Sequence, residues 1–433
     1  MRILRYNQPG FAEALARALA TSSLFDQTIE ERVRGVIAAV QRRGDDALLE
    51  FTERFDSVKL SVAQLAVTEP TPAVDAALRK AVATAQANVV AFAKRALPKD
   101  WQMRNAQGGR VGEKFDPLQR VGVYIPGGTA PLVSTAIMTV ALAKVAGCRE
   151  IVTCTPPNEG AQNLINPSLL YALRKAGATE IYRVGGAQAI AAMALGTQTI
   201  RRVQKIFGPG NAYVTTAKRL LFGRVGVDLL AGPSELLVIA DNSADARFIA
   251  ADMLAQAEHG SGHERVWLVT TSEKILEATQ WELQRQQQAL SRGEFIGRAL
   301  DANGACVLVK DVKQAVDVAN RFAPEHCEVM TKNAAKLVCA IKTAGAIFVG
   351  PWSPTVVGDY LAGPSHELPT GGAGAMFAGL TVDQFQRRTS VVEFSQSALR
   401  KSMRALETIG AVERLDAHVA SARIRFDSRK KRS

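Results

Sequence analysis

From residue 120 onward the chain alternates short β-rich runs with longer helical patterns, punctuated by Gly and Pro, as a parallel sheet wrapped by helices requires. The predicted strands are Val121 to Ile125, Glu150 to Cys154, Glu180 to Val184, Lys205 to Phe207, Glu235 to Ala240, Arg265 to Thr270, Cys306 to Val309, Glu328 to Thr331 and Ala346 to Val349. A helical pattern separates most of them. Asn166 before Pro167 reads as an N-cap with proline in the first turn, and Gly147 and Gly177 read as helix stops. The predicted class is therefore α/β. The first 120 residues look mostly helical, with apolar residues at three- and four-residue spacing from Glu30 to Phe55 broken at Gly44, and the pattern beyond Gly379 is helical again. Two α/β units are expected to meet near Ala231 to Glu235, between a helical entry and a helical C-terminal piece.

A chain of 433 residues with 47% hydrophobic and 22% charged residues has the composition of a folded protein of two or three compact units. Its net charge of +12 could suit nucleic acid, an anionic membrane or phosphate-bearing ligands. Much of the excess is terminal, however: Arg423, Arg425, Arg429, Lys430, Lys431 and Arg432 face only Asp427. Single-strand binding needs basic residues interleaved with exposed aromatics, and this cluster has Phe426 alone, so it reads as a solvated tail and no nucleic-acid partner is expected. The five cysteines form no CxxC pair, which suits reduced thiols and a cytoplasmic protein. The apolar stretch Thr129 to Ala143 is too short to span a bilayer and contains Pro131, so no membrane association is expected.

Glycine-rich turns after strands are where α/β proteins hold phosphates, because backbone N–H groups and a helix N-terminus face the anion there. Three such turns occur: Tyr124-Ile125-Pro126-Gly127-Gly128, Val184-Gly185-Gly186-Ala187-Gln188 and Phe207-Gly208-Pro209-Gly210-Asn211. None matches GxGxxG or the Walker pattern, so together they favour a ligand cleft without naming its ligand.

All five histidines have acidic residues nearby: Glu258-His259, His263-Glu264, Glu325-His326, His366-Glu367, and His418 after Asp416. Imidazole beside carboxylate builds both metal sites and acid/base pairs. Gln256 and His259, at i and i+3, share a helix face, and Asp359 and His418 are available to complete an N/O ligand set. The zinc-protease motifs HExxH and HxxEH are absent. Glu325-His326 follows Pro324 at a corner before a strand and suits a water-activating, proton-accepting pair. Cys327 stands where a strand begins and reads as core, Ser234 lacks a GxSxG context and reads as a hydrogen-bond donor, Trp281 to Gln288 reads as an exposed helix, and His263 has no assigned role.

The segments Arg120 to Gly128, Gly185 to Ile190, Phe207 to Asn211, Ala231 to Glu235, Ala255 to His259, Ala323 to His326 and Gly358 to Thr370 resemble, in order, those of the histidinol dehydrogenase family. The resemblance implies two Rossmann-like doubly wound α/β units in an intertwined homodimer. The implied divisions are an N-terminal helical arm at 1–21, a discontinuous zinc and acid/base domain at 22–123 plus 235–376, an NAD-side domain at 124–234, and a C-terminal piece at 377–433 reaching the partner subunit. It also implies a four-electron oxidation of L-histidinol through L-histidinaldehyde to L-histidine, with one Zn²⁺ per subunit and NAD. By resemblance Gln256, His259, Asp359 and His418 are zinc ligands and Glu325 and His326 the catalytic pair. Tyr124, Gln188 and Asn211 contact NAD, while Ser234, Gln256, His259, His326, Asp359, His366, Glu413 and His418 contact substrate. Arg414 stands where the family usually has Gly.

Three other readings compete. A related dehydrogenase of another small alcohol, such as a sulfonated diol, would keep zinc and NAD but lose the groups facing imidazole and amine. A nucleic-acid or phosphate-binding protein would use the basic charge. A zinc hydrolase would use the metal and Glu325-bound water without NAD.

Overall fold

The computed structural model describes residues 1–20, 26–127, 131–158, 160 and 164–427. Gly128, the end of the 1–21 arm and residues 428–433 of the basic tail lie outside the described residues. The chain divides into two compact units, one of Met1–Ala96 and Leu118–Phe385, the other of Leu97–Pro117 and Gln386–Ser433.

The larger unit contains two parallel sheets. One is built from β4 (Arg120–Tyr124), β5 (Glu150–Thr155), β6 (Glu180–Arg183), β7 (Lys205–Phe207) and β8 (Gly226–Val227), in the order β6-β5-β4-β7-β8. The other combines β1 (Arg2–Arg5) with β9 (Glu235–Ala240), β10 (Arg265–Thr270), β11 (Ala305–Leu308), β12 (His326–Met330) and β13 (Ala346–Val349), in the order β1-β11-β10-β9-β12-β13. Every pairing within both sheets is parallel. Their central strands are apolar runs because both faces are covered: every residue of β4 and of β9 is buried. On one face of the first sheet the Gln27–Arg43 and Asp45–Asp56 helices pack with the Gly186–Leu195 and Ala212–Leu221 helices around Leu48, Phe51, Ile190 and Val214. Separate apolar clusters cover the two faces of the second sheet.

Local chemistry sets the boundaries. Asp26 caps the Gln27–Arg43 helix by accepting from the N–H groups of Thr28 and Ile29, and Gly44, at φ 56°, ends it. Asn166 caps the Pro167–Ala176 helix as expected, and Gly147 and Gly177 end theirs in the left-handed region.

The smaller unit differs from its helical expectation. It holds an antiparallel sheet ordered β14-β3-β2, from β2 (Trp101–Arg104), β3 (Arg110–Pro117) and β14 (Gln386–Glu393), followed by the Gln396–Glu413 and Asp416–Arg423 helices. These strands and β1 escape periodicity because they are short or carry charged residues, and none presents a fully buried apolar run.

Candidate active site

A cleft of about 2110 Å³ runs between the two parallel sheets. The first sheet presents the carboxyl ends of its strands. There β4 neighbours both β5 and β7, so strand order reverses, and ligands of open α/β sheets bind in the crevice such a reversal leaves. The second sheet presents the amino ends of β9 and β12, where Glu235 and His326 begin their strands.

On the first wall the Phe207 to Asn211 turn is tightly constrained. Gly208 has φ +105°, and a Cβ there would lie 2.1 Å from the Tyr124 carbonyl oxygen, so only glycine fits. Its N–H donates to Asp228 Oδ2 at 2.7 Å and its carbonyl accepts from Lys218 Nζ at 2.9 Å, while Lys218 and Asp228 form a buried ion pair. Asn211 then caps the Ala212–Leu221 helix through Oδ1, which accepts from Tyr213 N at 3.1 Å and Val214 N at 3.2 Å. The Tyr124 hydroxyl accepts from Gly186 N at 3.0 Å, and burial raises its phenol above the usual range. Gln188 is buried nearby, and its Nε2 has no hydrogen-bond partner among the described residues. A buried amide donor beside a cleft is costly unless a ligand satisfies it.

On the second wall the backbone of Glu235 organises the acid/base pair. Its N–H donates to Glu325 Oε2 at 2.8 Å, and its carbonyl lies 3.1 Å from His326 Nδ1. A carbonyl can only accept, so Nδ1 carries the proton and Nε2 is left to act. That Nε2 is buried, has no hydrogen-bond partner among the described residues, and stands 3.6 Å from Asp359 Oδ1. Burial pushes Glu325 up to about 7. For His326 burial opposes the charged ring, but the Glu325 and Asp359 carboxylates outweigh it and raise the ring to about 9.

Gln256 Nε2 lies 3.2 Å from His259 Nδ1 at the end of the Ala246–Ala257 helix. Burial lowers the His259 pKa. Burial opposes ionisation of Asp359, yet the neighbouring His326 brings its pKa below the usual value. A neutral imidazole and an ionised carboxylate are the forms a divalent cation needs, and with the Gln256 carboxamide they give a borderline N/O donor set of the kind zinc accepts. Among the described residues no group of three or more His, Cys, Asp or Glu is arranged to hold a metal ion, so this donor set is partial. His418, the fourth expected ligand, lies exposed on the Asp416–Arg423 helix of the smaller unit, as does Glu413 at the end of the preceding helix.

His366 Nδ1 is 3.0 Å from the Asp359 carbonyl, and its Nε2 is 3.1 Å from Thr135 Oγ1 and 3.3 Å from Glu367 Oε1. Ser234 lies on the cleft lining. Cys327 is fully buried, its thiol pushed up to about 12 by burial, as core packing predicts.

Sequence reasoning missed Glu235, Thr135 and the Lys218–Asp228 pair. Glu235 had a signal, since it directly follows the singled-out Gly232-Pro233-Ser234. Thr135, Lys218 and Asp228 lie in ordinary helical or loop contexts that mark nothing by themselves.

A family profile described as histidinol dehydrogenase matches residues 19–426. The histidinol dehydrogenase of Heliobacterium mobile is 43% identical over 418 residues, covering 94% of this chain and 96% of that protein. That of Brucella suis biovar 1 (strain 1330) is 41% identical over 431 residues, covering 98% and 99%. The crystal structure of histidinol dehydrogenase from Elizabethkingia anophelis superposes with a TM-score of 0.92 at 32% identity, covering 98% of each chain.

Proposed function

The chain belongs to the histidinol dehydrogenase family, a family of histidine biosynthesis, and from that premise we propose that its cleft carries the zinc- and NAD-dependent oxidation of L-histidinol to L-histidine. The observation that carries this reading is the second wall: Glu325 and His326 share the Glu235 backbone, and His326 Nε2 points at Asp359. Opposite them lie the glycine turns and the unsatisfied Gln188 amide.

Tyr124, Gln188 and Asn211 would hold NAD, which supplies the hydride acceptor. Gln256, His259, Asp359 and His418 would hold zinc, which supplies a Lewis-acidic template for the amino alcohol. His326 Nε2 takes the hydroxyl proton as the carbinol hydrogen leaves as hydride, giving the aldehyde. With Asp359 engaged by a cation, that carboxylate's pull on the ring proton would be removed, leaving Glu325 and the Glu235 carbonyl as the groups that favour the protonated ring. Glu325 then takes a proton from water as its oxygen adds to the aldehyde carbon. The resulting gem-diolate anion expels a second hydride as its charged oxygen becomes the carbonyl, and the product is the carboxylic acid. Ser234, His366 and Glu413 would orient the substrate, with the Glu413 carboxylate toward its cationic amine.

The 124–234 segment forms the NAD side and 22–123 with 235–376 the acid/base side of two Rossmann-like units, after an N-terminal arm at 1–21. The 377–433 piece brings Glu413 and His418 to a second copy in a homodimer with shared sites. Val392, Ile409, Val412 and Ile424 on the smaller unit are exposed apolar side chains, which suits such an assembly. No described helix is long and apolar enough to cross a membrane.

Metal analysis paired with NADH production from L-histidinol tests the proposal. Zinc near one per chain and two NADH per histidinol are expected. No turnover at saturating zinc, or turnover only on anionic diols, overturns it.

A further inference from the structure

Beneath the second wall lies a pair of buried acids that the chemistry above does not use. Glu328, on β12 two residues after His326, is almost completely buried, and Asp252, on the Ala246–Ala257 helix four residues before Gln256, is buried beside it. Their carboxyl groups are hydrogen-bonded to each other. Glu328 Oε1 also accepts from the backbone N–H of Thr355 at 2.9 Å, at the start of the Thr355–Tyr360 helix that carries Asp359. Glu328 Oε2 is buried and meets no N–H or hydroxyl donor among the described residues, so the donor available to this pair is a carboxyl proton.

Two carboxyl groups hydrogen-bond only if one keeps its proton. Burial and the Asp252 charge hold Glu328 well above the usual carboxylate range, and burial brings Asp252 to about 6, so the pair retains a proton at neutral pH. Asp359 is the other charged group felt by Glu328. Three elements therefore meet at one protonated pair: the helix leading to Gln256 and His259, the strand beginning at His326, and the helix ending beside Asp359. Each arrives from a different part of the sequence.

We propose that Asp252 and Glu328 are positioning residues, a carboxyl–carboxyl hydrogen bond that locks the Ala246–Ala257 helix, β12 and the Thr355–Tyr360 helix together so that His259, His326 and Asp359 face one point. This rests on the assignment of those three residues to zinc and proton transfer. Outer partners of this kind orient the groups that touch ligand without touching it themselves.

The test compares Glu328→Gln, Asp252→Asn and Glu328→Ala in the full-length protein. The glutamine amide donates where the acid proton did and still accepts from Thr355, and the asparagine likewise keeps a donor, whereas alanine removes the link. Zinc affinity is read by competition with a chromophoric chelator, together with KM and kcat for L-histidinol and the ring resonances of the five histidines. The amide variants should keep zinc affinity and KM within about threefold of wild type, while Glu328→Ala weakens zinc about 10- to 100-fold and raises KM more than it lowers kcat. Glu328→Ala should also move the His259 and His326 ring resonances and leave those of His263 and His418 in place. Glu328→Gln as impaired as Glu328→Ala, or Glu328→Ala with unmoved His259 and His326 resonances, overturns the proposal. If wild type binds no zinc and ignores histidinol, the assignment of the site fails, and the ring resonances still decide whether the pair positions these histidines.

Discussion

The N–H of Glu235 donates to Glu325 Oε2 at 2.8 Å, while the carbonyl of that same residue meets His326 Nδ1 at 3.1 Å. One peptide segment thus fixes both partners of the acid/base pair: it stabilises the Glu325 carboxylate and sets the His326 tautomer. The Glu235 side chain is itself fastened, 3.2 Å from Arg265.

Replacing Glu325 by Gln should separate the two oxidations. The amide cannot accept a proton from water, so aldehyde hydration and the second hydride step should fall about 10²- to 10⁴-fold, while the first oxidation changes far less. Rates of NADH formation from L-histidinaldehyde and from L-histidinol measure the difference. Equal losses in both would reject the role.

The same carboxyl gives the pH dependence. Burial raises Glu325 to about 7, and only its ionised form accepts a proton, so oxidation of the aldehyde should rise with pH through about 7 and fall on acidification. A pH–rate profile on the aldehyde should show this acid limb in wild type, and Glu325→Gln should lack it.

Lys218 and Asp228 are buried and paired, and together they grip both backbone groups of Gly208. Asp228→Asn leaves a buried ammonium without its countercharge and should cost about 3–5 kcal/mol in urea unfolding. Its KM for NAD should rise as well, because the turn leading to Asn211 loses its clamp. A loss under about 1 kcal/mol would mean the pair is replaceable by local relaxation.

Gly208→Ala is expected to be more severe than most glycine substitutions. The new Cβ meets the Tyr124 carbonyl oxygen at 2.1 Å, a backbone atom on a central strand, and φ is +105°. Thermal or urea unfolding should show a loss of about 3 kcal/mol or more. A variant of wild-type stability with normal KM for NAD would contradict the geometry.

Arg414 ends the Gln396–Glu413 helix at φ 56°, in the left-handed region where a glycine would be at no steric disadvantage. Arg414→Gly should stabilise by up to about 1 kcal/mol, the relief of strain being partly offset by the greater freedom of glycine in the unfolded chain. Differential scanning calorimetry checks the sign.

Much of the architecture was legible because its causes are local. Parallel strands covered on both faces appear as unbroken apolar runs, so β4 and β9 could be placed within a residue or so. Asn166, Asn211, Gly44, Gly147 and Gly177 act through their own backbone neighbours, and their positions announce helix ends. β1, β2, β3 and β14 were not legible, because strands that keep neither an unbroken apolar run nor a regular alternation look like loop until a partner strand is known. For the site, residue types beside one another in sequence, Glu325 with His326 and Gln256 near His259, were visible.

What the chain's own order of residues determined was the alternation of strands and helices, the glycine turns and the pairing of imidazoles with carboxylates, because each depends on contacts a few residues apart. The tertiary structure alone decided that the carboxyl ends of one sheet face the amino ends of the other across a cleft. It also decided that Glu235 spans Glu325 and His326, that His326 Nε2 faces Asp359, and that Asp252 meets Glu328. Those contacts join segments tens of residues apart, and they form only when parallel strand pairing and helix packing bring distant stretches of the chain side by side.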